Sequence, residues 1–464
     1  MEGLEIKEKK LYEVLSNKDF RIDSSFYTKE PRKNPDLIYA KIGEHLISSQ
    51  YGISIEMNTD SVGYPIYRMN EIHDMLCDLD VDKCADITQA EYDRFALKDR
   101  DVLFNRTNSF EWVGRTGIYY QNDDIQRTFA SYLVRLNPKD SILPEYLCTY
   151  LNCKYGEWDV KRRARQSINQ TNVNPEEVKE IEIPILDIDL QQKIRCCFTQ
   201  ANSLRVLSQR TYSEAELILH NELGIKSIAV TDVNVSQKRF SDFINSGRLD
   251  AEYYQPKYDD LFSRLSKFET KRLGDIVQIR KSIEPGSEAY QNQGIPFIRV
   301  SNLSKFGFSD TEIHLSPDEY GDVIRPKQNT ILLSKDGSVG IAYKVEQDMN
   351  VITSGAILHL TITDNEFMPD YLTLVLNSII VGMQAERDAG GSIIQHWKPS
   401  EIENVIIPKL SQEVQQEITN KVRESFALRR KSKRLLNLAK TAVETAIEQG
   451  ENEALELLEY KLCR

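Results

Sequence analysis

This chain is largely written twice. RIDSSFY at residues 21–27 returns as RLDAEYY at residues 248–254, an offset of 227. GYPIYRMNEI at 63–72 returns as GIPFIRVSNL at 294–303 with an offset of 231, and DVLFNR at 101–106 returns as TILLSK at 330–335 with 229. PEYL at 144–147 is answered by PDYL at 369–372 with an offset of 225. Ile183-Pro184 is answered by Ile407-Pro408, and Gln191-Gln192 by Gln415-Gln416, both with 224. The order is kept and the offset drifts only between 224 and 231. Two unrelated domains would not easily keep six such pairs in register. The period far exceeds a solenoid unit, so a whole domain is duplicated.

Each copy divides again. Its first part mixes short apolar runs with polar, Gly-containing turns, as in Ile331-Leu332-Leu333 followed by Ser334-Lys335-Asp336-Gly337, a strand-and-turn signal. Pro144 and Pro369 open segments with helical spacing, and proline is well tolerated at a first helical position. The globular parts therefore read as α+β. After Pro184 and Pro408 the pattern becomes helical. Ile194, Phe198, Ala201, Leu204, Leu207, Ala215 and Ile218 mostly keep three-or-four spacing, with no Gly or Pro before Gly224. Ile418, Val422, Phe426, Leu435, Leu438, Ala442 and Ala446 do the same before Gly450. Such a helix of about 34 residues is about 50 Å long. A one-sided apolar stripe of that length needs a partner along it, and the obvious partner is its own duplicate. The expected fold is two tandem globular domains, each followed by a long helix. The two helices pair as an antiparallel coiled coil, with the heads at opposite ends in approximate two-fold symmetry.

Composition narrows the function. The 464 residues carry 59 basic and 71 acidic side chains, a net charge of −12. That argues against coating nucleic acid or anionic membrane by bulk charge and leaves room for a local basic groove. No run approaches the ~20 apolar residues of a membrane span, and the N-terminus has no apolar signal core. The seven cysteines form no CxxC pair, which fits reduced thiols in a cytoplasmic protein. No phosphate loop, GxGxxG, HExxH or paired Cys/His spacing is present. Asn34-Pro35-Asp36-Leu37 only approaches the element used by amino-methyltransferases, and Gly337-Ser338-Val339-Gly340 lacks the first glycine of a nucleophile elbow. His359, alone in an apolar run, reads as packed. No catalytic residue and no metal site are expected.

Two similar heads on one scaffold suit a ligand with two similar sites. Duplex DNA is one, with half-sites ~34–36 Å apart per helical turn. Three paired stretches can supply contacts. Asn105-Arg106-Thr107-Asn108, with Arg115 soon after, matches Ser334-Lys335-Asp336-Gly337, with Ser338 next, as a cation on a polar turn after an apolar strand. The basic run at 161–165, with Arg162, Arg163 and Arg165, would attract phosphate and is answered by Arg387-Asp388. Ser167-Ile168-Asn169-Gln170 matches Ser392-Ile393-Ile394-Gln395, followed by His396, Trp397 and Lys398. Arg and Lys suit the guanine edge, and Asn and Gln the adenine edge, in the major groove. The basic cluster at 429–434 reads instead as a solvated helix face.

The chain resembles the specificity subunit of type I restriction–modification systems. The resemblance is carried by GIPFIRVSNL, by TILLSKDGSVG at 330–340, by PDYL at 369–372, by GGSIIQHWKPSEIENVIIPKL at 390–410, and by the glutamine-rich helix opening at 412–416. The first half departs, with Asn105-Arg106-Thr107-Asn108 in place of the glycine turn and three extra residues before Val113-Gly114. The resemblance implies a first target recognition domain at 1–188, a spacer helix at 189–223, a linker at 224–237, a second target recognition domain at 238–410, a second spacer helix at 411–449 and an acidic tail at 450–464. It implies a non-catalytic subunit that reads an asymmetric bipartite site on double-stranded DNA. The helices would dock two methyltransferase subunits, which bring S-adenosylmethionine, and motor-nuclease subunits would bring ATP and Mg; no cofactor is expected on this chain. The residues alone leave open a non-catalytic coiled-coil scaffold, or a recognition subunit of a related phage-defence complex.

Overall fold

The computed structural model describes residues 6–16, 21–31, 33–168, 170–225, 235–389 and 395–462. The chain forms two compact units, Met1–Val206 with Leu428–Arg464, and Leu207–Ala427. Most of the expected linker at 224–237 lies outside the described residues.

The first unit is built on a six-stranded sheet in the order Leu46–Tyr51, Leu133–Pro138, Asp101–Asn105, Thr116–Tyr119, Leu76–Cys77, Ile72–His73. Its central strands are apolar on both faces because helices and loops cover both sides, and Val102, Leu103 and Phe104 are all buried. The strand Asp101–Asn105 runs antiparallel to Leu133–Pro138, with Val102 opposite Leu136. Two smaller sheets flank it. Tyr39–Lys41 pairs antiparallel with Glu182–Pro184, and Tyr64–Tyr67 lies parallel to Thr128–Phe129 and antiparallel to Cys84–Ala85.

The second unit repeats this plan. Val277–Lys281, Ile357–Ile362, Ile331–Ser334 and Ala342–Lys344 form an antiparallel sheet in that order. Thr270–Arg272 pairs with Ile406–Pro408, and Ile295–Ile298 lies parallel to Ile352–Thr353 and antiparallel to His314–Leu315. The helices Pro144–Asn152 and Pro369–Leu376 both start on proline. Tyr146 and Tyr371 occupy the same place in them, and each donates its hydroxyl to a proline carbonyl, Pro184 at 2.5 Å and Pro408 at 2.7 Å.

The long helices are Ile188–Glu222 and Gln412–Glu448. A buried glutamine ties each to the globular part before it. Gln191 is 1% exposed, accepts from the Leu143 amide at 2.8 Å and donates to the Leu186 carbonyl at 2.9 Å. Gln415 is 0% exposed, accepts from the Met368 amide at 2.9 Å and donates to the Glu366 and Leu410 carbonyls at 2.9 and 3.0 Å.

Within the second unit, residues of the two helices meet running in opposite directions. Ser208 and Ser425 exchange hydroxyl-to-carbonyl bonds at 2.8 Å, and Lys421 reaches Glu214 at 2.8 Å. Within the first unit, the Ser432 hydroxyl donates to the Ala201 carbonyl at 2.7 Å, amid the fully buried Ala439, Ala442 and Ala446. Small side chains let the backbones approach closely enough for these bonds. The acidic end of the chain is helical over Glu451–Leu462. It buries Ala454 and Leu458 in the core of the first unit, and Glu451 accepts from the Asp187 amide at 2.8 Å.

Gln415→Ala takes that partner from the half-buried Met368 amide and the buried Leu410 carbonyl, while the Glu366 carbonyl keeps its bond from Gln412. It should cost about 2–3 kcal/mol of stability, read by urea unfolding of the full chain. Gln416→Ala removes an exposed side chain one position on and should leave the midpoint unchanged.

Candidate functional site

In the second unit, the strand Ile331–Ser334 runs into a turn that needs glycine, with Gly337 at φ +73° and Gly340 at φ +89°. The buried Ser334 closes it, donating its hydroxyl to the Ser338 carbonyl at 2.6 Å and accepting from the Ile341 amide at 2.8 Å. The chain then returns from about sixty residues away to lie beside this turn. Gly337 N–H donates to the Gln395 carbonyl at 3.0 Å, and Trp397 N–H donates to the Lys335 carbonyl at 2.8 Å. On the far side the Lys335 amide donates to the Ala356 carbonyl at 2.8 Å. Two stretches singled out separately in the sequence thus form one surface.

The charges on this surface are organised around Asp336. Its carboxylate takes the Lys335 ammonium and a 2.9 Å bond from His396 Nδ1. Partial burial pushes the Asp336 carboxyl up, but the hydrogen bonds from Lys335 and then His396 outweigh it and hold the group below the usual carboxylate range. Gln395, His396, Ser338 and Lys398 are exposed, and Lys335 is half-buried. Lys398 also pairs with Glu401 at 3.4 Å at the start of the helix Pro399–Glu403.

The first unit places the corresponding chain in the same way. Val173 N–H donates to the Arg106 carbonyl at 2.9 Å, and Arg106 N–H donates to the Tyr132 carbonyl at 3.0 Å. Thr171 and Asn172 pair with Asn108 and Thr107 on one side, and with Gln166 and Arg165 on the other. Asn172 Nδ2 donates to Thr107 Oγ1 at 3.1 Å, where the second unit has His396 on Asp336. Arg106 lies over the Tyr51 ring at 5.1 Å and donates to Asn172 Oδ1 at 3.1 Å. Arg115 stacks on Trp112. The hydrogen-bond register sets Thr171, and not Gln170, opposite Gln395. Gln170 is exposed, and its carbonyl accepts from Ser167 at 2.8 Å.

Three expectations are corrected by burial. Asn105 is 0% exposed on the sheet, and its amide faces the Met69 carbonyl. Trp397 is 1% exposed and belongs to the core of the second unit. The basic run is not a phosphate-facing row. Arg162 turns onto Asp159 and the Phe26 carbonyl, and Arg163 is buried against Asp159 and Glu177. Only Arg165 of the three arginines is exposed. Asn169 and residues 390–394 lie outside the described residues. Sequence reasoning missed Tyr51 and Asn172; the offset of 224 that relates Gln191 to Gln415 also relates Asn172 to His396.

His359 is buried, with Nε2 2.8 Å from Thr353 Oγ1, and burial lowers its pKa to about 4. Among the described residues no group of three His, Cys, Asp or Glu side chains can hold a metal, and no helix is long and apolar enough to cross a membrane.

The depressed Asp336 carboxyl has a pH signature. The stability it contributes is present above the unfolded carboxylate value and is lost as pH falls through the folded one. Thr107 and Asn172 do not titrate. Acid unfolding followed by amide exchange should therefore loosen the Asp336 turn in the wild type, and Asp336→Asn should remove that acid dependence while the Thr107 turn behaves alike in both.

A family model for the type I restriction modification DNA specificity domain matches residues 266–430. The chain is 22% identical over 426 residues to the putative type I restriction enzyme MjaX specificity subunit of Methanocaldococcus jannaschii, covering 84% of this chain and 88% of that protein. It is 23% identical over 144 residues to the type I restriction enzyme EcoKI specificity subunit of Escherichia coli K12, covering 31% of each. The solved S subunit of the type I restriction–modification system from M. genitalium aligns over 92% of this chain and 98% of its own, at 14% identity and a TM-score of 0.35.

Proposed function

We propose that this chain, a type I restriction–modification specificity subunit, carries one DNA-reading surface in each unit and uses the two to recognise an asymmetric bipartite site. The reading rests on one observation. A turn after a central strand and a segment some sixty-five residues further on are joined by the same main-chain bond in both units, Val173 to Arg106 and Trp397 to Lys335. The frame is repeated while the side chains on it differ, as two half-sites of different sequence require.

The chemistry on each frame suits base edges. In the second unit, Gln395 offers an amide that can pair with the adenine edge, and His396 a ring nitrogen for guanine. Lys398 stands beside them for phosphate. In the first unit, Arg106 and Asn172 take the base-reading positions, and Arg165 and Gln170 lie on the adjoining hairpin. The side chains are held before DNA arrives, because the segments that carry them are pinned through their main chain. The paired long helices serve as the spacer between half-sites and as the docking surface for two methyltransferase subunits. S-adenosylmethionine, ATP and Mg act in the methyltransferase and motor-nuclease partners, and this chain supplies the address.

Duplexes selected from a random pool by the full chain with its methyltransferase subunits should yield a two-part motif. The Gln395→Ala variant should relax the second half-site alone, losing ~1–3 kcal/mol of discrimination at one base, and Asn172→Ala should relax the first alone. Equal damage to both halves, or a wild-type pool with no enriched motif, is the result that refutes the reading.

A second measurement concerns the spacer. Inserting roughly four residues, about one helical turn, after Leu204 should change the length of the unread gap and leave both half-sites as they were.

A further inference from the structure

The paired motifs at 21–27 and 248–254 lie outside the residues matched by the family model and take no part in the surfaces described above. Both make the same set of bonds. Arg21 is held by Asp23 through Nε and Nη2, each at 2.8 Å, and its Nη1 donates to the Arg163 carbonyl at 3.1 Å. Arg248 is held by Asp250 through the same atoms at 2.6 Å, and its Nη1 donates to the Asp388 carbonyl at 3.1 Å. Tyr27 and Tyr254 donate their hydroxyls back to the Arg21 and Arg248 carbonyls at 2.8 and 3.0 Å. An arginine of the helix stacks on an aromatic ring of the motif in each case, Arg162 on Phe26 at 4.5 Å and Arg387 on Tyr253 at 4.9 Å.

The two carbonyls share a location. Arg163 ends the helix Lys154–Arg163, and Asp388 ends the helix Ile379–Asp388. The last carbonyls of a helix have no intrahelical partner and form its negative end, which a guanidinium matches in charge and geometry. From each helix end a short stretch leads to a reading position, Asn172 nine residues after Arg163 and His396 eight residues after Asp388.

We infer that each Arg-x-Asp-x-x-aromatic-Tyr motif is a strap that sets where the reading segment begins. Arg21 and Arg248 are positioning residues: they touch the helix end, and the helix end fixes the start of the chain that presents Asn172 or His396. The inference rests on the reading of those segments as DNA-contacting. It also accounts for the basic run at 161–165, whose inward arginines dock the strap.

The test is Arg248→Lys in the full chain, assembled with its methyltransferase subunits. Lysine keeps the charge but cannot hold Asp250 through two nitrogens and the Asp388 carbonyl through a third. Discrimination at the second half-site should fall about tenfold, with the first half-site and the melting temperature unchanged, and Arg21→Lys should give the mirror result. In a double-mutant cycle with His396→Ala the two losses should be non-additive, because the strap acts through the residue it positions. A change at the second half-site of less than about twofold, or losses that add, would overturn the strap. If Arg248→Lys does not fold, Tyr254→Phe removes the hydroxyl's bond to the Arg248 carbonyl together with its contacts to Ser246 Oγ and the Asp242 carbonyl, and it is judged by the same two outcomes. A wild-type complex that selects no two-part motif would refute the DNA-reading assignment itself, a result separable from the failure of the strap.

Discussion

Two buried glutamines decide how each globular part is joined to the helix that follows it. Gln191 and Gln415 sit within the first turn of their helices and face inward, where a flexible polar side chain is costly unless both ends of its amide are bonded. Both are. The oxygen takes a main-chain amide just before the proline-started helix, and the nitrogen takes a carbonyl just before the long helix. One side chain thus fastens the start of the long helix, and the residue just before it, to a segment about fifty positions earlier in the sequence. With this junction fixed, each helix leaves its globular part in one direction.

The duplication shows which bonds both units keep. Main-chain bonds, the glutamine junction, the tyrosine on a proline carbonyl and the arginine strap occur in both units. The electrostatics were free to change. Glu145 and Asp370 are equivalent buried acids, but the first is met by Arg100 and the second by Lys344 and Arg423. A buried carboxylate must be paired, and any cation within reach will serve. Hydrogen-bond geometry at the main chain is less forgiving.

The order of elements was legible in the sequence because proline, glycine and three-or-four spacing act locally. The helices Ile188–Glu222 and Gln412–Glu448 were legible for that reason. The candidate surface was legible only in pieces. Gln395 and Lys335 stood out as polar side chains beside recognisable motifs, but nothing local shows that Gly337 bonds to Gln395. Charge density misled at 161–165, because Asp159 and Phe26 gather Arg162 inward and two buried carboxylates gather Arg163. Trp397 misled for a related reason: it stands between the polar His396 and Lys398, yet its ring fills the core. Asn172 carries no charge and follows no motif, so only its counterpart in the other copy marks it.

The bonds that frame each turn run between peptide groups and do not depend on which side chains the frame displays. Thr107 with Asn172 and Asp336 with His396 are two vocabularies on one grammar. Heredity can therefore revise the side chains on one frame without renegotiating how the polypeptide folds. A few codons, changed in one unit at a time, are enough to alter the surface that this chain displays.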